Sequence, residues 1–238
     1  MMKPWQEDVI RALNQQANQE AIFCKLLEFA QDMGFEHCAY GLRLTLPITN
    51  PRFFLVNNYP AQWRERYATA GYLLIDPTVE HGRRSQTPIV WSNAVFARAG
   101  DMWTEAQDFG LKFGLAQSTF DGNGGVGMVT FARSRNQITE REMDEIQDRC
   151  RWLVNATHDA FSRVLAGIAK PALERELTSR EIEILKWMAD GKTSKEASEI
   201  LSISLDTVNF HMKNAIAKLG STNKTAAVVR AVVLGLLG

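Results

Sequence analysis

The chain has 238 residues and a mass of 26.8 kDa, the length of about one and a half to two ordinary domains and enough to bury a sizeable core. A hydrophobic content of 45% with 23% charged residues excludes a disordered or membranous chain. Lys and Arg total 27 and Asp and Glu total 27, so the zero formal charge, taken over the whole chain, argues against a basic nucleic-acid binder.

The opening residues MMKPWQEDVIRAL carry acids and no uninterrupted apolar core, so no signal peptide is expected. Val9, Ile10 and Leu13, then Ile22, Phe23, Leu26, Leu27 and Phe29, recur at helical spacing on either side of the polar stretch Asn14 to Gln19, which predicts two helices between Gln6 and about Met33. Residues 37–45 and 53–58 are short and rich in aromatic and branched side chains, with Pro47, Asn50 and Pro51 between them, and read as neighbouring strands. Pro60 sits where a helix favours proline, at its first position, and opens a helix over residues 62–70 with Tyr59, Trp63 and Tyr67 four apart along one side.

A turn is expected at Asp76-Pro77 and a helix around Met102 to Phe113. Residues 115–120 and 125–134 read as two strands joined by Asp121-Gly122-Asn123-Gly124, a hairpin signal. The run Gly122 to Gly127 imitates a dinucleotide fingerprint, but strand-like residues follow it where a helix start is required. Thr139 and Glu142 form a capping box ahead of a long helix running to about Ala166, with Met143, Ile146, Cys150, Leu153, Val154 and Phe161 on its apolar stripe. Helices mixed with antiparallel strands predict an α+β fold, an α-β-α sandwich, for residues 1–166. Residues 167–176, with Gly, Ala and Pro171, read as a linker.

Residues 177–238 read as four short helices, a helix-turn-helix domain. Thr178 with Glu181 and Thr193 with Glu196 are capping boxes, Asp190-Gly191 is a stop, Ser204 caps a third helix ended by Gly220, and Asn223 starts a fourth. On the third helix, Val208, Met212, Ala215 and Leu219 share a core face, with Asp206, Asn209, Phe210, Lys213, Asn214 and Ala217 opposite. Asn209 and Lys213, one turn apart, carry the groups that pair with adenine and guanine edges in a major groove. Lys192, Thr193 and Ser194 lie at one helix start and Asn223, Lys224 and Thr225 at another, where backbone N–H groups favour phosphate. His211 either reaches a phosphate or packs at the helix edge.

Charge also divides along the chain. Residues 1–173 carry 18 basic and 19 acidic groups, and residues 174–238 carry nine and eight. Within 204–238 there are four basic residues, Lys213, Lys218, Lys224 and Arg230, against one acid, Asp206. The positive excess is therefore local to the recognition side, which predicts weak non-specific DNA binding. The closing run TAAVVRAVVLGLLG is too short to span a bilayer and is interrupted by Arg230, so a soluble protein is expected. Cys24, Cys38 and Cys150 have no CxxC spacing and read as reduced buried thiols. His37, His81, His158 and His211 share no metal-ligand spacing, and no GxSxG or Cys/His set is present, so neither an enzyme nor a metal site is expected.

The segment from LTSREIEIL to NKTAAV closely resembles the helix-turn-helix of LuxR-type transcription regulators, with Glu181, Leu185 and Gly191 on the family's characteristic positions. The same module ends response regulators, but the N-terminal half lacks the acidic strand ends of a phospho-receiver. Instead, NYPAQWRERYATAGYLLIDPTVEH and PIVW resemble the autoinducer-binding domain of LuxR-type quorum-sensing receptors, through Trp63, Tyr67, Asp76, Pro77, Trp91 and Gly114.

That resemblance implies an N-acyl homoserine lactone as effector, with no cofactor. Asp76 would accept the amide N–H, Trp63 would donate to the lactone carbonyl, and Tyr59 with Thr130 would serve the acyl carbonyl. Tyr67, Trp91, Phe96, Trp103 and Leu115 would form walls. Lys192, Thr193, Ser194, Thr207, Asn209, Phe210, His211, Lys213, Asn214, Lys218, Asn223 and Lys224 would face DNA. The expected protein is a cytoplasmic homodimer on a palindromic promoter site, without a membrane partner, and engages RNA polymerase if it is an activator. The alternatives are a regulator of the same fold that senses another small molecule or none, and a lactone hydrolase, which the missing nucleophile and metal set disfavours.

Overall fold

The computed structural model describes residues 3–121, 124–165 and 176–238. These form two compact units, the first holding every helix and strand up to residue 165 and the second the last four helices. The expected linker residues 167–175, the end of the long helix at Ala166, and Gly122 and Asn123 of the hairpin lie outside the described residues.

The first unit begins with α1 (Pro4–Asn14) and α2 (Gln19–Asp32), the second started by Asn18, whose side chain accepts the Ala21 N–H. Five strands follow through the chain: β1 (His37–Arg43), β2 (Phe53–Asn57), β3 (Ile89–Val90), β4 (Phe113–Phe120) and β5 (Val126–Arg133). They make one antiparallel sheet in the order β2-β1-β5-β4-β3. The hairpin between β4 and β5 is present, closed by the Asp121 N–H to the Gly125 carbonyl and by the Gly125 N–H to the Asp121 carboxylate.

One face of the sheet is covered by α1, α2 and the long α6 (Glu140–Val164), where Phe161 stacks on Tyr40 with ring centroids 4.3 Å apart. On the other side run α3 (Ala61–Thr69), α4 (Pro77–Gly82) and α5 (Gly100–Asp108), with α4 packed against β4 and β5. The architecture is the expected α-β-α sandwich.

Three local expectations are corrected. Pro60 is the N-cap of α3, one position earlier than expected, because its ψ of 137° is extended. The helix near Met102 ends at Asp108, since Phe113 already belongs to β4. Thr139 does cap α6 by accepting the Glu142 N–H, but the Glu142 carboxylate turns away to grip Arg133 of β5 through two bonds of 2.7 Å. The capping box is thus half made, and its second half is exchanged for a tie between helix and sheet. A fourth correction concerns the thiols: Cys38 and Cys150 are buried, which pushes each up to about 12, whereas Cys24 is exposed.

The second unit comprises α7 (Ser179–Ala189), α8 (Ser194–Ile200), α9 (Leu205–Lys218) and α10 (Lys224–Val233). Thr178 and Thr193 form complete capping boxes with Glu181 and Glu196, and Ser204 and Asn223 cap the remaining two. Val208, Met212, Ala215 and Leu219 are buried against Ile184, Leu185, Ala197, Ala227 and Ala231, as the helical spacing predicts. No helix among the described residues is long and apolar enough to cross a membrane.

Candidate ligand cavity and DNA-facing helix

The alternation of a strand decides which residues can meet a ligand. On the sheet face turned toward α3, α4 and α5, three cross-strand rows run in register: Ala116, Thr130, Ala39 and Asn57; then Ser118, Met128, Gly41 and Leu55; then Phe120, Val126, Arg43 and Phe53. Between these rows and the helices lies a cavity of about 180 Å³. Tyr59, Trp63, Tyr67, Asp76, Trp91, Phe96, Trp103 and Thr130 all line it, so eight of the nine residues expected at a ligand site are brought to one cavity.

Leu115 is the exception. It pairs with Phe131 across the hairpin, one residue out of phase with Thr130, and therefore belongs to the opposite sheet face, where it is fully buried. It is core, and the expectation that it forms a cavity wall is corrected.

Polar groups gather at one end. Asp76 caps α4, its Oδ1 accepting from the Thr78 N–H at 2.8 Å and the Thr78 hydroxyl at 2.6 Å, while Oδ2 accepts from the Tyr67 hydroxyl at 2.9 Å. Burial raises the Asp76 carboxyl above its ordinary value, although the hydrogen bonds from Thr78 and Tyr67 oppose the shift. Oδ2 holds a single partner and keeps room for a second donor. The Tyr59 hydroxyl lies near Thr130 on the lining, and burial raises it too. The indole N–H of Trp63 makes no hydrogen bond among the described residues, and that of Trp91 is buried without one. One acceptor and several donors thus line an enclosure whose other walls are aromatic and aliphatic, with Arg43, Arg64 and Arg83 also on the lining.

The enclosure is rigid for identifiable reasons. Phe96 and Trp103 stack at 4.5 Å with planes 4° apart, Trp91 meets both edge-on, and the Trp103 N–H is committed to Asn93 at 2.8 Å. Trp103 is therefore a wall, with its polar handle spent on the protein. Trp63 packs edge-on against Tyr67. Gly114 lets Trp91 lie on β4: a Cβ there would fall 2.5 Å from the Phe131 carbonyl and 2.7 Å from the indole ring. Arg66 of α3 grips Glu105 of α5 through two bonds of 2.7 Å, with the Tyr72 hydroxyl added to Glu105 at 2.9 Å, and so ties together two of the helices over the sheet.

The sequence reading passed over Thr78, Ser118, Met128, Gly41, Leu55 and Arg43, all of which line the cavity. Period-two counting back from Thr130 to Met128, carried across the hairpin to Ser118, is the signal that finds the central row.

In the second unit, Asn209, Phe210 and Lys213 are exposed on α9, with Thr207, His211 and Asn214 partly exposed beside them. His211 packs edge-on to Phe210 with centroids 5.5 Å apart. Lys192 is exposed in the turn before α8. Lys224 at the start of α10 donates to the Ser194 hydroxyl at the start of α8, at 2.6 Å, so these two helix N-termini lie side by side. Thr193, Thr207 and Asn223 also have structural partners: Thr193 holds Glu196, Thr207 meets Ser204, and Asn223 caps α10.

Lys218 departs from expectation. Its ammonium donates to the Glu181 carboxylate at 2.8 Å and to the Glu176 carbonyl at 3.0 Å. Glu181 is only 2% exposed, and although burial opposes its charge, the bonds from Lys218 and Thr178 hold it below the ordinary carboxylate value. The cation neutralises a buried acid of the scaffold and is not a free contact for a phosphate.

Comparison with known proteins agrees with both units. A family model for the autoinducer binding domain matches residues 18–161, and one for bacterial regulatory proteins of the luxR family matches residues 175–231. The transcriptional activator protein AnoR of Acinetobacter nosocomialis is 40% identical over 238 residues, covering 99% of this chain and 100% of its own. The HTH-type quorum-sensing regulator RhlR of Pseudomonas aeruginosa is 37% identical over 221 residues, 92% of this chain and 90% of its own. Among solved structures, Escherichia coli SdiA superposes with a TM-score of 0.87 at 31% identity, covering 98% of each chain, and SdiA in complex with octanoyl-rac-glycerol gives 0.85 at 30% identity, covering 100% of this chain and 98% of that one. AnoR is named as a transcriptional activator and RhlR as a quorum-sensing regulator, and neither name is an enzyme's. The chain belongs to the LuxR family of bacterial transcription regulators, with an autoinducer-binding domain ahead of a helix-turn-helix DNA-binding domain.

Proposed function

We propose that this protein binds an N-acyl homoserine lactone in the cavity of its first unit and, as a homodimer in the cytoplasm, reads a palindromic promoter site with its second. The observation that carries the lactone is the meeting, at one end of an aromatic cavity, of the open Asp76 Oδ2 with the free Trp63 N–H and the Tyr59–Thr130 pair. Asp76 accepts the amide N–H, Trp63 donates to the lactone carbonyl, and the Tyr59–Thr130 pair takes the acyl carbonyl. Tyr67, Trp91, Phe96 and Trp103 form the walls.

The proposed division is a ligand-binding domain at 1–166, a linker at 167–176 and a DNA-binding domain at 177–238. Asn209 and Lys213 read base edges, with Phe210 and Asn214 beside them, while Lys192, Ser194 and Lys224 position phosphates. Bound lactone stabilises the first unit by mass action, about 2.7 kcal/mol at a hundred times Kd. Pairing through α6 then gives two linked readers the avidity that one lacks. RNA polymerase is a partner if the protein activates; its relatives include both an activator and the transcriptional repressor ThaA of Burkholderia thailandensis.

Titration with acyl homoserine lactones should raise the melting temperature and tighten binding to a selected palindrome. A titration that moves neither overturns the reading. Asp76→Ala should lose about tenfold or more in lactone affinity, the range for a hydrogen bond to a charged group. A second ligand class is favoured by SdiA's complex with octanoyl-rac-glycerol. A monoacylglycerol's hydroxyls can also donate to Asp76, so the two classes are separated by titrating each directly against the wild type and comparing the shift in melting temperature.

A further inference from the structure

The cavity meets solvent over a patch whose chemistry a lactone head does not explain. β2 is an edge strand, so the sheet face that walls the cavity ends there, and Phe53 and Leu55 line the cavity while remaining 39% and 51% exposed. Arg64 and Ala68 of α3, and Arg83 at the end of α4, are likewise both on the lining and exposed. A side chain does both only where a cavity reaches water, so these residues border its mouth. Between α3 and α4 the chain adds Leu74 and Ile75, 87% and 55% exposed, next to the lining residues Leu73 and Asp76.

The charges around this mouth are unmatched. Arg43, opposite Phe53 in the sheet register, joins Arg64 and Arg83 on the lining, and none of the three side chains makes a hydrogen bond or an ion pair among the described residues. Burial first, and then the charge of Arg83, lowers Arg43 from its ordinary value, as two like charges standing close require. Elsewhere in the unit Arg66 holds Glu105, Arg133 holds Glu142, and Arg84 meets Glu80 at 3.4 Å. Asp76 is the only acid on the lining, and its oxygens are engaged by Thr78 and Tyr67. That leaves Glu65 of α3, off the lining, beside three cations.

Exposed apolar side chains among unmatched cations suit the interface of an anionic bilayer, where the apolar groups enter the headgroup region and the guanidiniums meet phosphates. An acidic protein surface would also meet the cations, but the cavity behind them favours lipid. An acyl chain dissolves in a bilayer, and a mouth seated there joins that solvent to the aromatic interior without passing the chain through water.

We propose that the cavity mouth, bordered by Phe53, Leu55, Arg64 and Arg83 with Leu74 and Ile75 beside it, is a peripheral docking surface for an anionic lipid bilayer. The choice of lipid rests on reading the cavity as the site of an acyl ligand. The sequence predicts no membrane partner because it offers no spanning segment, but a surface contact needs none.

The test sediments the full-length protein, without DNA or lactone, with vesicles of phosphatidylcholine alone and of equimolar phosphatidylcholine and phosphatidylglycerol. Binding is expected to the anionic vesicles only, and it should weaken as salt is raised. Leu74→Ser/Ile75→Ser should lower partitioning about tenfold or more, through the loss of two apolar side chains from the interface. Its melting temperature and its lactone Kd in vesicle-free solution should not change, since both side chains are exposed and off the lining. Arg64→Gln/Arg83→Gln should lower partitioning about twentyfold, the worth of two basic residues at an anionic surface. The two variants change different side chains, so a lowered melting temperature in one leaves the other to decide. Lys213→Ala, in the second unit, should partition as the wild type does. No binding to anionic vesicles, equal binding to both compositions, binding that survives both first-unit variants, or binding lost with Lys213→Ala overturns the docking surface. Failure of lactones to bind in vesicle-free solution overturns the lactone reading, and the vesicle result, obtained without lactone, decides the surface separately.

Discussion

The two units differ in the polar groups they hold at the cavity and at the helix starts. In the first, the cavity wall contains the buried Trp91 N–H without a partner, and an Asp76 carboxylate raised by burial. In the second, each of the four helix starts is closed by its own side chain, and the buried acid Glu181 is met by Lys218. A receptor core keeps unmet hydrogen-bonding capacity where its ligand will supply the other half. The second unit also buries two unpartnered atoms, Ser221 Oγ and Arg230 Nε, but it turns Asn209 and Lys213, which nothing in the fold uses, to solvent.

The largest effect is expected where the second unit's self-sufficiency is broken. Lys218→Met removes the cation from a carboxylate that is 2% exposed, and stranding one member of a buried pair costs about 3–5 kcal/mol. Hydrogen exchange in α7 and α9 of the full chain should rise by the corresponding factor, and Glu181→Gln on top of Lys218→Met should recover part of the loss. Unchanged exchange with weakened DNA binding would return Lys218 to the DNA surface. Because Glu181 is held below its ordinary value, its contribution is complete above that value, about 4.5, and is lost as pH falls through the lower folded value.

A smaller effect probes what the second unit leaves free. Lys213→Ala should cost about 1–3 kcal/mol in binding and relax discrimination at one base position, with no change in melting. A uniform loss over all sequences, with a shallower salt dependence, would make Lys213 a phosphate contact.

The same contrast governs what the sequence revealed. Caps and helical stripes are local, so Thr178, Thr193, Ser204 and Asn223 were legible at once, as was the core face of α9. Elements too short for a period were not: α4 has six residues and β3 two. Asp76-Pro77 read as a turn because its role as the cap of α4 could not be separated from one. Long-range pairs were invisible. Glu142 looked like a capping partner until Arg133, and Lys218 like a DNA contact until Glu181. Leu115 and Ser118 differ only in strand phase, which the hairpin register sets and composition does not. The zero net charge misled for a related reason, since it averages over units whose charges do separate jobs.

The gentlest test of the contrast is pH, acting on the one titratable group that belongs to the cavity's unmet capacity. Burial raises the Asp76 carboxyl, so an empty cavity favours its protonated form and this group's contribution to stability declines as pH rises from the ordinary carboxylate value through the raised one. A ligand N–H at Oδ2 favours the ionised form instead. Lactone affinity should therefore fall as pH drops through the raised value, before the protein unfolds, by the few-fold that separates a charged from a neutral acceptor. Asp76→Asn should flatten that dependence. If it persists in Asp76→Asn, the proton belongs elsewhere, and the cavity's unmet capacity must be sought in its indole and hydroxyl groups alone.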